Sequence, residues 1–378
     1  MKKMKKMKKL FFSLTIPILL LAGCSQNEKA ISFELNKVNG DFPYGEVYKI
    51  SKKGTESTIL RVNHDTLLFG VQDEHSRSIS FHWLGLDQKI RKTKSATISE
   101  KAGSKDDSLY LGVEGNKEFD VRNGRNSDTM GIFNFSGEYF DLFSNDFSNY
   151  QQRSVELSSG KQLIGLKPRN SKTGKSVLVK WEKDGEIENE IPVEDVLEDS
   201  QASCDSMTDF GEFIYIFSKE TKTIYQLTEE LKVVKKYDLN SYLSIENPDE
   251  WNDGEFVYQA ELNKNIFSIG KKNGEVYYFD VTEEGVSPWD FTNPKYQGNY
   301  IINGLNLIDM GNKDVYRIDS KKSYSLGGRG ITSNGDFYFQ GTRDLANDKP
   351  KDENIEYLIK INKDQVKGFL VEYGEKVN

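Results

Sequence analysis

The sequence predicts an all-β protein of the propeller type, and three observations carry that prediction. Short apolar or alternating runs recur throughout residues 31–378, such as Thr66–Val71, Phe213–Phe217 and Phe337–Gln340, each bounded by Asn, Gly, Asp, Lys or Ser. β-branched and aromatic residues between turn formers are a strand signal. An apolar-x-apolar triplet returns at spacings of 52, 46, 46, 52, 39 and 43 residues. A period of 40–50 residues is that of propeller blades, each about four strands. No amphipathic helical pattern of useful length follows residue 30.

The chain opens with a leader. Met1–Lys9 holds six lysines and no acid, and Leu10–Ala22 is a short apolar run interrupted by Pro17. That run falls short of the roughly 20 residues a transmembrane helix needs, so residues 1–23 read as a signal peptide outside the fold. The run ends Leu21-Ala22-Gly23-Cys24. This resembles the lipobox of bacterial lipoproteins, and the resemblance covers about the first 24 residues. It implies a diacylglyceryl group on the Cys24 thiol, cleavage just before it, and a protein held to the extracytoplasmic face of the cell membrane. Two acyl chains anchor stably where one does so only marginally. Residues 24–30 then form a polar lipidated tether, and the Lys- and Asn-rich composition goes with a Gram-positive source.

The seven triplets start at Phe81, Phe133, Val179, Tyr225, Tyr277, Tyr316 and Ile359. Polar turns follow them, and further hairpins precede several, as at Lys271-Lys272-Asn273-Gly274. Asn-Gly between apolar runs is a strong hairpin signal. One such unit cannot bury both faces of its sheet, whereas units stacked around an axis can. Seven blades over residues 31–378 are expected, with six or eight as alternatives. Val47–Ile50 is either part of an extra blade or a strand that completes the last one and closes the ring. The pattern resembles β-propeller proteins in general and no particular propeller family: WD occurs once, at Trp289-Asp290, and Gly-Gly once, at Gly327-Gly328. Two β-sandwich domains are the competing fold.

Composition limits the partners. The 378 residues are 36% hydrophobic, 12% aromatic and 29% charged, with a net charge of −8 that becomes −14 once the leader is removed. That balance excludes nucleic acid, whose phosphates need a Lys/Arg surface. Once Cys24 carries lipid, Cys204 has no cysteine partner and reads as a small buried hydrophobe.

Chemistry is sparse. No Walker-type GxxxxGKS/T, GxSxG or GxGxxG motif occurs, and His64, His75 and His82 form no zinc pattern, so neither cofactor nor metal is expected. The acidic run Glu182–Asp199 reads as a solvated turn leading to a short helix. Two segments stand out as ligand-binding candidates. Trp251 lies in a polar, turn-rich stretch, Asn247–Gly254, where an exposed ring could stack on a sugar or anchor a protein. Gly327-Gly328-Arg329-Gly330 could place backbone N–H groups and the Arg329 guanidinium around a phosphate or carboxylate, although tight turns are the plainer account of its glycines. Asp344–Asn354 is a further loop candidate. The favoured function is a non-enzymatic binding module for a protein or glycan of the cell envelope. The alternative is a polysaccharide hydrolase or lyase using paired carboxylates at the propeller mouth, with Asp106, Asp107, Asp205 and Asp209 as candidates.

Overall fold

The computed structural model describes residues 30–377 except 53–56, 73–76, 99–108, 115–117, 124–128, 142–149, 169–174, 182–186, 244–249, 253, 304–305, 319–325, 347–348 and 351–354. The leader and Cys24 therefore lie outside the described residues, as do His75, Asp106 and Asp107.

Consecutive strands fold back on one another into antiparallel sheets. Sheet I runs from Ser57–Asn63 to Ile90–Thr97, sheet II from Leu109–Glu114 to Tyr139–Asp141, and sheet III from Tyr150–Glu156 to Ile187–Pro192. Sheet IV runs from Ser206–Phe210 to Val233–Asp238, and sheet V from Glu255–Gln259 to Gly285–Pro288. Each of these has four strands in chain order. Sheet VI takes Tyr300–Asn303, Asn306–Asp309 and Val315–Ile318 and receives its fourth strand, Gly374–Lys376, from the far end of the chain. The remaining large sheet, VII, has five strands: Leu326–Ile331, Phe337–Gly341 and Glu356–Ile361, then Gly45–Lys52 and Phe33–Lys37.

The sheets pack in a ring, which makes the fold a β-propeller. Apolar clusters join I to II through Phe81, Phe119 and Phe133, and IV to V through Tyr215, Phe217 and Phe267. Equivalent clusters join II to III, III to IV, and V to VI. Sheet VII closes the circle, packing on VI through Phe337, Ile359 and Leu307 and on I through Tyr338, Leu358 and Phe69. Both faces of most sheets are thereby buried. That is why second and third strands read as continuous apolar runs and outermost strands, such as Ile90–Thr97, are polar and exposed.

The triplets have one structural meaning. Six of them lie within the third strand of a sheet, and Phe133-Asn134-Phe135 runs off the end of sheet II's third strand into its turn. Val47–Ile50 belongs to the strand that pairs with the last triplet, Val47 opposite Ile359, so it completes the final sheet and closes the ring. The turns after several hairpin strands also share a form. In each, the amide that opens the turn bonds to the carbonyl four residues on, at Gly85–Lys89, Asn134–Glu138, Leu157–Lys161, Thr228–Lys232 and Thr332–Asp336. The fourth residue is left-handed: Gln88, Gly137, Gly160, Leu231 and Gly335. A type I turn followed by a left-handed residue is the standard three-residue hairpin connection.

Among the described residues helix is confined to margins. α1, Val193–Leu197, is the short helix at the end of the acidic run, after the strand Ile187–Pro192, and α2, Val366–Tyr373, lays Phe369 and Leu370 over the cluster between sheets VI and VII. Among the described residues no helix is long and apolar enough to cross a membrane.

Candidate functional site

Two regions gather chemistry: the ring axis and an aromatic cleft on sheet V. The axis is walled by the first strand of each sheet. These strands touch in succession, I with II, III with IV, IV with V, V with VI, VI with VII, and VII with I. Three charged side chains on them interact electrostatically: Arg61 from sheet I, Arg153 from sheet III and Glu255 from sheet V. These sheets are not neighbours in the ring, so only the axis can bring the three within electrostatic reach. Glu255 keeps exposed surface yet is largely surrounded by protein. That desolvation pushes its carboxyl up, and Arg153 and Arg61 oppose the rise. The opposite end of the axis is acidic. There Tyr258 feels Asp65 and Asp209, and Asp65 is held ionised by Ser333 and by His64, whose Nδ1 is 3.0 Å away.

The anion nest expected at Gly327–Gly330 is corrected. The segment is neither a nest nor a turn but the first strand of sheet VII, with a β-bulge between Gly328 and Gly330. Its glycines serve packing: a Cβ on Gly330 would sit 2.6 Å from Val62 Cβ of sheet I. Arg329 occupies the bulge and lies over Gly327. Burial pulls its guanidinium below the usual value against the pull of Glu356, and its Nε makes no hydrogen bond among the described residues.

Trp251 is also corrected. It is 2% exposed, not presented to solvent. Residues 250–252 continue the first hairpin of sheet V, with a β-bridge from Trp251 to Lys271 and the Asn252 amide donating to the Gly270 carbonyl at 2.7 Å. This turns the indole into the core. A Cβ on Gly254 would collide with the Phe267 ring, so glycine lets the chain pass there.

The carboxylate candidates separate. Asp205 is buried and fully engaged: it pairs with Lys167, accepts from the Ser203 hydroxyl at 2.5 Å and from the Lys219 amide at 2.8 Å, and so ties sheet III to sheet IV. Asp209 lies on the first strand of sheet IV. Among the described residues no three His, Cys, Asp or Glu side chains converge as metal ligands. Cys204 is fully buried against Gly165, and its thiol is pushed up to about 12, chiefly by desolvation.

The cleft was not visible in the sequence. It holds about 410 Å³ and is lined by Tyr242, Tyr277, Pro288, Trp289, Phe291 and Lys313, among others. Tyr242 is 49% exposed and meets Phe279 edge-on at 5.9 Å. The Lys313 ammonium lies 5.7 Å from the Tyr277 ring and 5.9 Å from Phe291. The Tyr277 hydroxyl donates to Glu275 at 2.6 Å, with Trp251 behind its ring at 5.5 Å. Trp289 is locked by donating its indole N–H to the Met310 carbonyl at 3.0 Å. The one sequence sign of this site was the triplet Tyr277-Tyr278-Phe279, whose aromatic residues read as core.

Several solved structures align with this chain, at low identity and low TM-score. A Bacteroides fragilis protein named as exported covers 89% of this chain and 96% of its own, at 11% identity and a TM-score of 0.34. A chain of the mitotic checkpoint complex covers 84% and 97%, at 9% identity and a TM-score of 0.32. A quinoprotein alcohol dehydrogenase-like protein of Bacteroides thetaiotaomicron covers 68% and 74%, at 10% identity and a TM-score of 0.27. No family model and no curated protein sequence matches this chain.

Proposed function

We propose that this chain is a lipid-anchored extracytoplasmic binding module, tethered through Cys24, that takes a glycan of the cell envelope in the aromatic cleft of sheet V. Residues 31–378 act as one propeller of seven blades, the five-stranded sheet counting as the blade that closes it. The carrying observation is the cleft itself: an exposed Tyr242 beside Tyr277 and Phe291, with the Lys313 ammonium over two of the rings. Flat aromatic faces suit the apolar face of a sugar ring, and a flanking ammonium and hydroxyl suit its polar edge. A protein ligand would call for a broader contact surface than one cleft of this volume. The hydrolase or lyase alternative calls for two facing carboxyl groups. The raised carboxyl at the axis, Glu255, instead faces two guanidinium groups.

The test is titration of the mature protein with soluble peptidoglycan fragments. Tyr242→Ala, at an exposed position, should leave the fold intact and weaken binding about tenfold, the loss typical of an aromatic anchor. Failure of the wild type to bind, or equal binding by Tyr242→Ala, would overturn the reading.

A further inference from the structure

Sheet VI carries a second cleft that shares no lining residue with the one on sheet V. It holds about 300 Å³. Sheet VI supplies Tyr300, Asp309 and Tyr316 to its lining, and α2 supplies Lys367, Leu370 and Val371. Asp309 is 7% exposed and Tyr300 4%. The Gly311 amide donates to Asp309 Oδ1 at 2.8 Å. A Cβ on Gly311 would lie 2.7 Å from the Gln297 Cα and 3.2 Å from that oxygen, so glycine lets the chain close on the carboxylate.

Two polar groups are left over. Among the described residues no cation pairs with Asp309, and the Tyr300 hydroxyl makes no hydrogen bond. A nearly buried carboxylate without a counter-charge is costly to hold. Burial pushes its carboxyl above the ordinary value, Asp314 adds to the rise, and the Gly311 amide and Lys367 oppose it. Asp314 itself is provided for: it pairs with Lys376 at 2.6 Å and accepts from the Tyr316 hydroxyl at 3.3 Å. Lys367 is exposed and lies beyond salt-bridge distance of Asp309. The cleft therefore sets a covered anion and an exposed cation apart, with Leu370 and Val371 beside them.

We propose that this cleft binds a small amino acid, its ammonium on Asp309 and the Tyr300 hydroxyl oxygen and its carboxylate toward Lys367. An ammonium donates to both oxygens at once, and the bond to the carboxylate is the stronger, charge-assisted kind. Leu370 and Val371 take the hydrocarbon part. A diamine would set its second ammonium against Lys367, and a simple acid would bring its carboxylate to Asp309. The volume is at the small end for ligand pockets, which suits a molecule of this size.

Calorimetric titration of the mature protein with leucine and with ε-aminocaproate, against pentylamine and caproate, tests this. At least one zwitterion should bind about tenfold or more tightly than either single-charge analogue. The tighter zwitterion gives the spacing of the two charges. Asp309→Asn keeps an acceptor for the Gly311 amide and should lose about tenfold or more in affinity. Lys367→Gln, at an exposed position, should weaken the zwitterion roughly two- to fivefold and leave pentylamine no weaker. Tyr242→Ala should bind as wild type does, which separates this cleft from the glycan site. Should Asp309→Asn fail to fold, Lys367→Gln decides. No binding of either zwitterion, binding no tighter than that of pentylamine, affinity unchanged in both cleft variants, or a loss in Tyr242→Ala overturns the proposal.

Discussion

His82 shows how the ring treats an ionisable residue. It lies on the third strand of sheet I, 3% exposed, stacked on Phe33 with centroids 5.0 Å apart, and its Nδ1 is 3.1 Å from the Thr93 hydroxyl. The packing of the amino-terminal strand, through Phe33, across sheet I covers it. Burial lowers its pKa, opposed by a backbone interaction with Ile31. The unfolded chain therefore binds a proton near the ordinary value of about 6.5 that the folded protein refuses. The stability held by neutral His82 is complete above that value and is lost as pH falls below it. Thermal melting should show a declining midpoint from about pH 7 to pH 5, and His82→Gln should flatten that part of the curve. An identical slope in the variant would show that His82 is not the group responsible. Cys204 behaves in the same sense: a thiol pushed up to about 12 stays protonated and packs as an apolar atom.

At the scale of strands, closure depends on two long-range pairings. The Gly45–Lys52 strand joins Glu356–Ile361, and Gly374–Lys376 joins Val315–Ile318. Together they leave no sheet completed wholly by local sequence at the place where the ring meets itself. Gly45 is the tight point, because a Cβ there would collide with the carbonyl oxygen of Lys360, a backbone atom that cannot swing aside. Gly45→Ala should lower stability by roughly 1–3 kcal/mol, the range for overpacking, and shift the thermal midpoint down by a few degrees. A midpoint equal to wild type would mean that the closing strand shifts freely. Turns are less constrained. Gln88 and Leu231 take left-handed conformations that Gly137, Gly160 and Gly335 take elsewhere, so the turn form is set by the hairpin, and glycine is its easiest occupant, not its only one.

For the whole molecule, the question is where it works. The proposed anchor predicts that Cys24→Ala abolishes incorporation of labelled fatty acid and leaves unprocessed precursor or released protein. Continued labelling of the variant would sink the anchor. On that proposal, the net charge of −14 that leader removal would leave repels anionic lipid headgroups, and attachment would fall to the acyl chains.

The residue pattern by itself determined the strands, their period, the recurring triplets and the closing role open to Val47–Ile50. All of these follow from local burial and turn chemistry, which repeat in every blade because every blade solves the same packing problem. The proposal of a leader and of lipid on Cys24 rests on the same kind of reading, of charge, length and order along the chain. Only the tertiary structure decided which aromatic residues are covered and which charges meet. Trp251 lies in a polar stretch, yet one bridge to Lys271 rotates it inward. Tyr242, Tyr277, Phe291 and Lys313 are spread over three segments, and the cleft exists because sheets V and VI stand side by side. Arg61, Arg153 and Glu255 are nearly 200 residues apart at the extremes and meet because first strands share an axis. Local sequence encodes burial and turning, which are short-range. Sites in a ring are built from residues of different blades, and that proximity is created only when the ring closes.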